Sequence, residues 1–288
     1  MRGTIPDYEL EAPASLDAVL AKLAESPGEW RPFAGGTDLM VLFECGVLEH
    51  KKFVSLWHLE ELRGIEVEGD TVRIGALTSY SDIRRHEVLR REFPMLCEAA
   101  AVTGGPAIQN RGTIGGNIAN ASPAADTPPA LLAYHAELEI VSARGERRRP
   151  YDGFHTGYKQ MDLAPDELIR AVRIKRPGLD THQKYFKVGT RKAQAISKVV
   201  FAGLISLRDG AVGSATLALG SVAPVTLRCV ETERVLEQGK LDAAGIDAAV
   251  KALGEEIAPI DDIRSTGRYR KAIAKNLLRD WLTKLAKA

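Results

Sequence analysis

Phe33-Ala34-Gly35-Gly36-Thr37-Asp38-Leu39 and Arg111-Gly112-Thr113-Ile114-Gly115-Gly116-Asn117-Ile118 are the two stretches that decide how this chain is read. Paired glycines beside hydroxyl, carboxylate or carboxamide residues let bare backbone come close to an anion. They also turn successive N–H groups toward it, with no Cβ in the way. One such turn is most often a structural loop. Two in one chain, each running into an apolar or helix-starting stretch, predict a clamp that closes on a diphosphate from both sides.

The familiar nucleotide signatures are missing. No two glycines stand two apart, so there is no G-x-G-x-x-G and no Rossmann fingerprint. Gly239-Lys240 is followed by Leu241 and lacks the upstream glycine of a P-loop. A phosphate cradle here belongs to another architecture.

Composition narrows the classes further. The chain has 288 residues, 45% hydrophobic and 27% charged, an ordinary globular balance with length enough for two domains. The formal net charge of +1 gives no global electrostatic case for nucleic acid or a membrane surface. The run Arg147-Arg148-Arg149 reads as a solvated hairpin strand, not a polyanion site. No apolar stretch approaches the roughly 18 residues of a membrane-spanning helix. Met1 to Leu10 has no apolar signal region, so a cytoplasmic location is expected.

Cys45, Cys97 and Cys229 stand far apart and form no C-x-x-C, and three cysteines cannot supply the four thiolates of an iron–sulfur cluster within this chain. Each is expected to be a buried small hydrophobe. The six histidines show no ligand spacing, and no G-x-S-x-G is present. No metal site and no side-chain acid, base or nucleophile is therefore expected; a cofactor would carry any chemistry.

Outward from the glycine turns, Ser15 is placed to cap a helix carrying Leu16, Val19, Leu20 and Leu23 at helical spacing. Trp30 to Phe33 is an extended run entering the first turn, and Asp38 opens an apolar helix from Leu39 to Phe43. Gly69-Asp70 between Ile65–Val67 and Val72–Ile74 reads as a hairpin. Helices are expected from Tyr80 to His86 and from Leu89 to Val102. Gly104 to Pro129 reads as a long ordered binding loop, followed by a short helix from Leu131 to Tyr134. Strands follow at Leu138–Val141, Glu146–Tyr151 and Leu168–Ile174, the first two turning at Arg144-Gly145.

Pro177-Gly178 reads as a domain boundary, after which the pattern becomes an antiparallel sheet with helices. Val199–Leu207 and Val212–Leu219 flank an Asp209-Gly210 hairpin turn. Helices are expected near Thr226–Gln238 and Ala243–Leu253. The last, Tyr269 to Ala286, lays Ile273, Leu277, Leu278, Trp281, Leu282 and Leu285 into the core.

With both turns, the polar loop and the second half placed, the chain resembles the FAD-binding medium subunit of the molybdenum hydroxylases, the xanthine dehydrogenase and carbon monoxide dehydrogenase family. The resemblance covers nearly the whole length. It rests on the two glycine motifs with Ser122-Pro123-Ala124-Ala125-Asp126-Thr127-Pro128-Pro129 and Asp166-Glu167-Leu168-Ile169. Beyond the boundary it continues in Gly220-Ser221-Val222-Ala223-Pro224 and Ser265-Thr266-Gly267-Arg268-Tyr269-Arg270.

The resemblance implies an α+β chain. A vanillyl-alcohol-oxidase-type FAD-binding domain over 1–176, of two subdomains (about 1–56 and 57–176), is followed by a small antiparallel-sheet-plus-helices C-terminal domain over 180–288. It implies Arg31, Pro32, Phe33, Ala34, Gly35, Gly36, Thr37 and Asp38 as one wall of the FAD diphosphate site, with Thr113, Gly115, Gly116 and Asn117 as the other. Thr103 matches a position flanking the flavin ring, and Asp126 one at the ribityl–phosphate region or adenine half. Ile169 and Lys187 match further contacts, and Ile196 an apolar residue at the isoalloxazine face. On the residues alone, Lys187 also reads as a strand lysine, Ile196 as core and Asp126 as a helix cap.

The implied cofactor is noncovalent FAD, since no histidine or cysteine stands within the glycine motifs. The implied partners are a small subunit with 2Fe-2S clusters and a large molybdopterin subunit, as a dimer of heterotrimers. Electrons would leave the flavin for NAD or oxygen. The stretch from Asp126 to Leu168 has no cysteine, so the branch with an extra four-cysteine cluster loop is not the one resembled. A stand-alone FAD oxidoreductase and a flavin-free scaffold remain the rival readings.

Overall fold

The computed structural model describes residues 7–178, 180–192, 194–208 and 210–287. The chain opens with a small parallel sheet: β1 (Glu9–Glu11), α1 (Leu16–Glu25), β2 (Trp30–Phe33), α2 (Leu39–Glu44) and β3 (Lys52–Ser55), in strand order β1-β3-β2. Parallel neighbours need a crossover, and the helices supply it. Ser15 starts α1 by accepting the Ala18 N–H at 3.2 Å, which puts Leu16, Val19, Leu20 and Leu23 against Trp30, Val54 and Leu56. The apolar α2 behaves otherwise: none of its residues is buried, and Met40 and Val41 are exposed.

The second unit is a five-stranded antiparallel sheet with helices on it. After a 3-10 turn at Glu60–Leu62 come β4 (Ile65–Glu68) and β5 (Thr71–Gly75), turning at Gly69 with φ +62°. Helices α3 (Tyr80–Arg85), α4 (Glu87–Glu92) and α5 (Pro94–Val102) follow. The single helix expected over Leu89–Val102 is divided at Phe93. Pro94 lacks an N–H and disfavours helical backbone in the residue before it, and Phe93 adopts φ −126°, ψ 52°.

The stretch expected as a long loop instead folds in part into α6 (Pro106–Arg111) and α7 (Ile114–Ala119), and the short helix expected from Leu131 forms three residues earlier as α8 (Pro128–Ala133). Pro106 and Pro128 sit in first turns, where the missing N–H costs nothing, and the Thr113 hydroxyl caps α7. Strands β6 (Glu137–Ser142) and β7 (Gly145–Pro150), the small hairpin β8 (His155–Gly157) and β9 (Gln160–Met161), and β10 (Leu168–Lys175) complete this unit, in sheet order β4-β5-β10-β6-β7. The basic run lies on edge strand β7: Arg147 pairs with Glu167, Arg149 with Asp162 and Arg148 with Glu137.

The rest is an antiparallel meander, β11 (Thr181–Val188), β12 (Val199–Arg208), β13 (Ala211–Gly220) and β14 (Leu227–Arg228), then α9 (Val230–Gln238), α10 (Ala243–Glu256) and α11 (Gly267–Leu285). Asp209 of the expected turn lies outside the described residues, while Arg208 and Ala211 pair across it. The helix expected from Thr226 begins only at Val230, because Leu227 and Arg228 first pair with β13. One face of this meander packs on α9–α11, with Trp281 edge-on to Phe201 at 5.6 Å. From the other face Tyr185, Val200, Ala202 and Ala218 join the core of the second unit, beneath α5 and α8.

Candidate cofactor site

A cleft of about 590 Å³ runs between the small parallel sheet and the second unit, lined by the β2–α2 connection, the start of α7 and the first residues of β10. Its polar character comes from bare backbone. Gly35, Gly36, Thr37 and Asp38 leave β2 in a turn with Gly36 at φ +75°, and two of their carbonyls serve α2: Gly36 O accepts from Met40 N at 2.9 Å and Asp38 O from Val41 N at 3.1 Å. Among the described residues, the N–H groups of Gly35, Gly36, Thr37 and Asp38 have no hydrogen-bond partner in the protein. Four consecutive unpaired donors in a turn are a nest for an anion.

The second glycine motif is built differently. Its amides are already engaged: Ile114 N donates to Thr78 O at 3.1 Å, Gly115 N to Ala76 O at 2.9 Å, and Gly116 N to Thr113 Oγ1 at 3.2 Å. This corrects the expectation that both turns offer amides. One wall provides donors, and the other a close, side-chain-free surface with the polar groups of Thr113 and Asn117. Asn120 ties the walls, its Nδ2 donating to Asp38 Oδ1 at 3.1 Å while its Oδ1 accepts from Lys159 Nζ.

The four glycines have separate reasons. A Cβ on Gly35 would stand 1.7 Å from Arg111 O, and one on Gly115 would stand 2.6 Å from Ala76 Cβ, so these two let backbone segments touch. Gly36 needs its left-handed conformation, and a Cβ there would meet the Phe33 ring at 2.6 Å. Only Gly116 is open: besides the flexible Thr113 hydroxyl at 2.9 Å, the nearest atom is Ala34 Cβ across the cleft at 4.0 Å. The cradle that a side chain would fill is therefore at Gly116, opposite the first wall. This arrangement fits a dinucleotide diphosphate.

Of the residues expected at the site, Arg31, Pro32, Ala34, Gly35, Gly36, Thr37, Asp38, Thr103, Thr113, Gly115, Gly116, Asn117 and Ile169 line this cleft. Phe33 does not: its ring lies under Gly36 and edge-on to Phe53 at 6.2 Å, supporting the turn. Asp126 and Lys187 are brought to each other instead, Oδ2 to Nζ at 2.7 Å, with Lys187 also donating to Val102 O at 2.9 Å beside Thr103. Asp126 is thus neither a cleft-wall residue nor the cap of α8, whose N-cap is Thr127. Ile196 is 53% exposed, in the β11–β12 connection, neither core nor cleft wall.

Sequence reasoning missed several lining residues. Tyr80 and the segment Met161, Leu163, Ala164 and Pro165 supply apolar surface. His50, half-buried, also lines the cleft, and burial followed by the Arg31 charge holds its imidazole below the usual range. A histidine without ligand spacing carries no sequence signal. The cysteines also depart from expectation: Cys45 is exposed, Cys97 half-buried and only Cys229 buried. Among the described residues no group of three or more His, Cys, Asp or Glu is placed to hold a metal, and no helix is long and apolar enough to cross a membrane.

Residues 6–177 match the family described as the FAD binding domain in molybdopterin dehydrogenase, and residues 184–285 the CO dehydrogenase flavoprotein C-terminal domain. The chain is 32% identical over 259 residues to the xanthine dehydrogenase FAD-binding subunit of Escherichia coli O157:H7, covering 89% of this chain and 88% of that one. It is 29% identical to the carbon monoxide dehydrogenase medium chain of Hydrogenophaga pseudoflava, covering 95% of each. Among solved structures, carbon monoxide dehydrogenase from the same organism superposes with a TM-score of 0.92 over 96% of both chains at 28% identity. Quinoline 2-oxidoreductase from Pseudomonas putida 86 gives 0.90 at 26% identity, over 99% of this chain and 98% of that one.

Proposed function

This chain belongs to the FAD-binding subunits of the molybdenum hydroxylase family, the xanthine and carbon monoxide dehydrogenase type, and from that premise we propose that it is the flavin relay of a three-subunit enzyme. The observation that carries the reading is the row of four unpaired amides from Gly35 to Asp38, lining the same cleft as the side-chain-free surface at Gly116. Those amides would hold the diphosphate of a noncovalent FAD, with Thr113 and Asn117 completing the polar contacts. Apolar Ile169, Tyr80 and Leu163 would exclude water from the rest of the cleft, and Thr103 and the remaining lining residues would orient the cofactor within it. The buried Asp126–Lys187 pair would hold the Thr103 wall in place.

Bound FAD supplies exchange between single-electron carriers and a two-electron acceptor. In this reading the carriers are 2Fe-2S clusters on a small partner subunit, the substrate is hydroxylated on a large molybdopterin subunit, and the acceptor is NAD or oxygen. No side chain of this chain acts as acid, base or nucleophile. The assembly is a cytoplasmic dimer of heterotrimers, its family members being medium chains of larger enzymes.

The test is co-expression. The purified full chain should carry a flavin that acid precipitation releases as FAD, and substrate should bleach it only when all three subunits are present. Rapid bleaching by an organic substrate with this chain alone would replace the relay reading with a self-sufficient oxidoreductase.

A further inference from the structure

The two walls of the cleft meet at one aromatic ring. Trp57 lies just past β3, and its neighbour Leu56 donates its N–H to Phe33 O at 2.9 Å, so the ring is fixed to the first wall. Over that ring, 3.6 Å from its centroid, sits the guanidinium carbon of Arg111, the residue that opens the second glycine motif. Arg63 lies 4.5 Å from the same ring and donates to the Trp57 and Leu77 carbonyls. Among the described residues the Arg111 guanidinium has no ion pair or hydrogen bond, and it rests on the indole. The backbone of Arg111 is also the surface that Gly35 touches.

We infer that Trp57 is a positioning residue for the cofactor: by stacking on Arg111 it holds the second wall against the first and sets the width of the diphosphate clamp. The argument is geometric. The unpaired backbone donors stand on the first wall only, and the opposing backbone contributes by being close. A loosened wall therefore weakens the grip without removing any group that touches the ligand. A cation over an indole is the strongest of the aromatic–cation pairs and has the right size to hold such a seam. This inference rests on the flavin reading of the cleft.

The experiment measures FAD affinity of the full chain, freed of flavin, by fluorescence quenching, alongside its melting temperature. Trp57→Ala should weaken FAD binding about tenfold with little change in melting, and Trp57→Phe should restore most of the loss. Arg111→Met should match Trp57→Ala, and the double variant should be no worse than either single one, because both remove the same contact. Additive losses, or a melting point that falls with the affinity, would overturn the clamp. So would a larger loss from Arg111→Met alongside a neutral Trp57→Ala, which would mean that Arg111 reaches the phosphates itself. A wild-type chain that binds no FAD overturns the cofactor reading and the clamp with it; wild-type binding matched by Trp57→Ala overturns the clamp alone.

Discussion

Asp126 and Lys187 are hydrogen-bonded to each other at 2.7 Å with both side chains about nine-tenths buried, and through this pair β11 is fastened to the back of the cleft. Ser197 Oγ donates to the other carboxylate oxygen at 2.6 Å, and the Tyr185 hydroxyl to the Asp126 carbonyl at 3.0 Å. Burial raises the Asp126 carboxyl above its ordinary range, with Lys187 pulling the other way.

Lys187→Met should therefore destabilise the chain by about 3 kcal/mol at pH 7, the usual cost of stranding one partner of a buried pair. The sign of its pH dependence follows from the raised carboxyl. The folded form takes up a proton more readily than the unfolded one, so this group's contribution is lost as pH rises through its folded pKa. Without Lys187 that window widens, and the deficit should be larger at pH 7 than at pH 4 in urea unfolding. A deficit independent of pH would assign Lys187 to packing.

Glu92 titrates in the opposite sense. Hydrogen bonds from Arg176, at 2.6 and 2.8 Å, and then from Arg91 pull its carboxyl down to about 2. Its stabilisation is present above the ordinary 4.5 and lost as pH falls toward 2. Glu92→Gln should cost about 2 kcal/mol at neutral pH, since Arg176 is partly exposed and screened, and little near pH 2.5. Equal losses at both pH values would contradict the ion-pair account.

The glycines should separate binding from folding. Gly116→Val is expected to weaken FAD binding more than 100-fold, roughly 3 kcal/mol, with a melting temperature close to wild type when both are compared free of flavin. Gly35→Ala forces a Cβ into the Arg111 carbonyl, and should destabilise the fold by about 3 kcal/mol or more. Calorimetry and flavin titration on both variants check this. Full flavin occupancy in Gly116→Val would mean that the diphosphate lies elsewhere.

Thiol labelling tests the burial of the cysteines. Burial pushes Cys97 up to about 11 and Cys229 well above the usual thiol range, whereas Cys45 is exposed. Ellman's reagent should titrate one thiol rapidly in the native chain and all three after denaturation. Two fast thiols would show that the helices over Cys97 open readily.

Much of this was legible because it is local. Ser15 and the apolar spacing behind it determine α1, and Gly69 gives the β4–β5 turn. The glycine motifs marked both walls, but not their division of labour: that depends on Ala76 and Thr78, whose carbonyls occupy the second motif's amides from a distant segment. Helices α6 and α7 are hidden because six residues, opened by Pro106 in one and capped by Thr113 in the other, show no apolar period. Strand β11 was hidden in its polar first half, Thr181-His182-Gln183-Lys184. Asp126 and Lys187 were found through family resemblance as ligand contacts; their mutual pairing spans 61 residues and leaves no pattern in either neighbourhood.

The donors of the cleft and the surface across from them belong to different units of the fold, joined by a shared core under α1 and by Asn120 and Trp57 at the cleft. Whatever is held between them acts as a strut across that seam. Resistance to unfolding then rises with ligand supply, by about 2.7 kcal/mol at a hundredfold excess over the dissociation constant. Chains loaded with ligand would therefore resist proteases that cut the unfolded form longer than empty ones do, and the difference would grow with the ligand supplied.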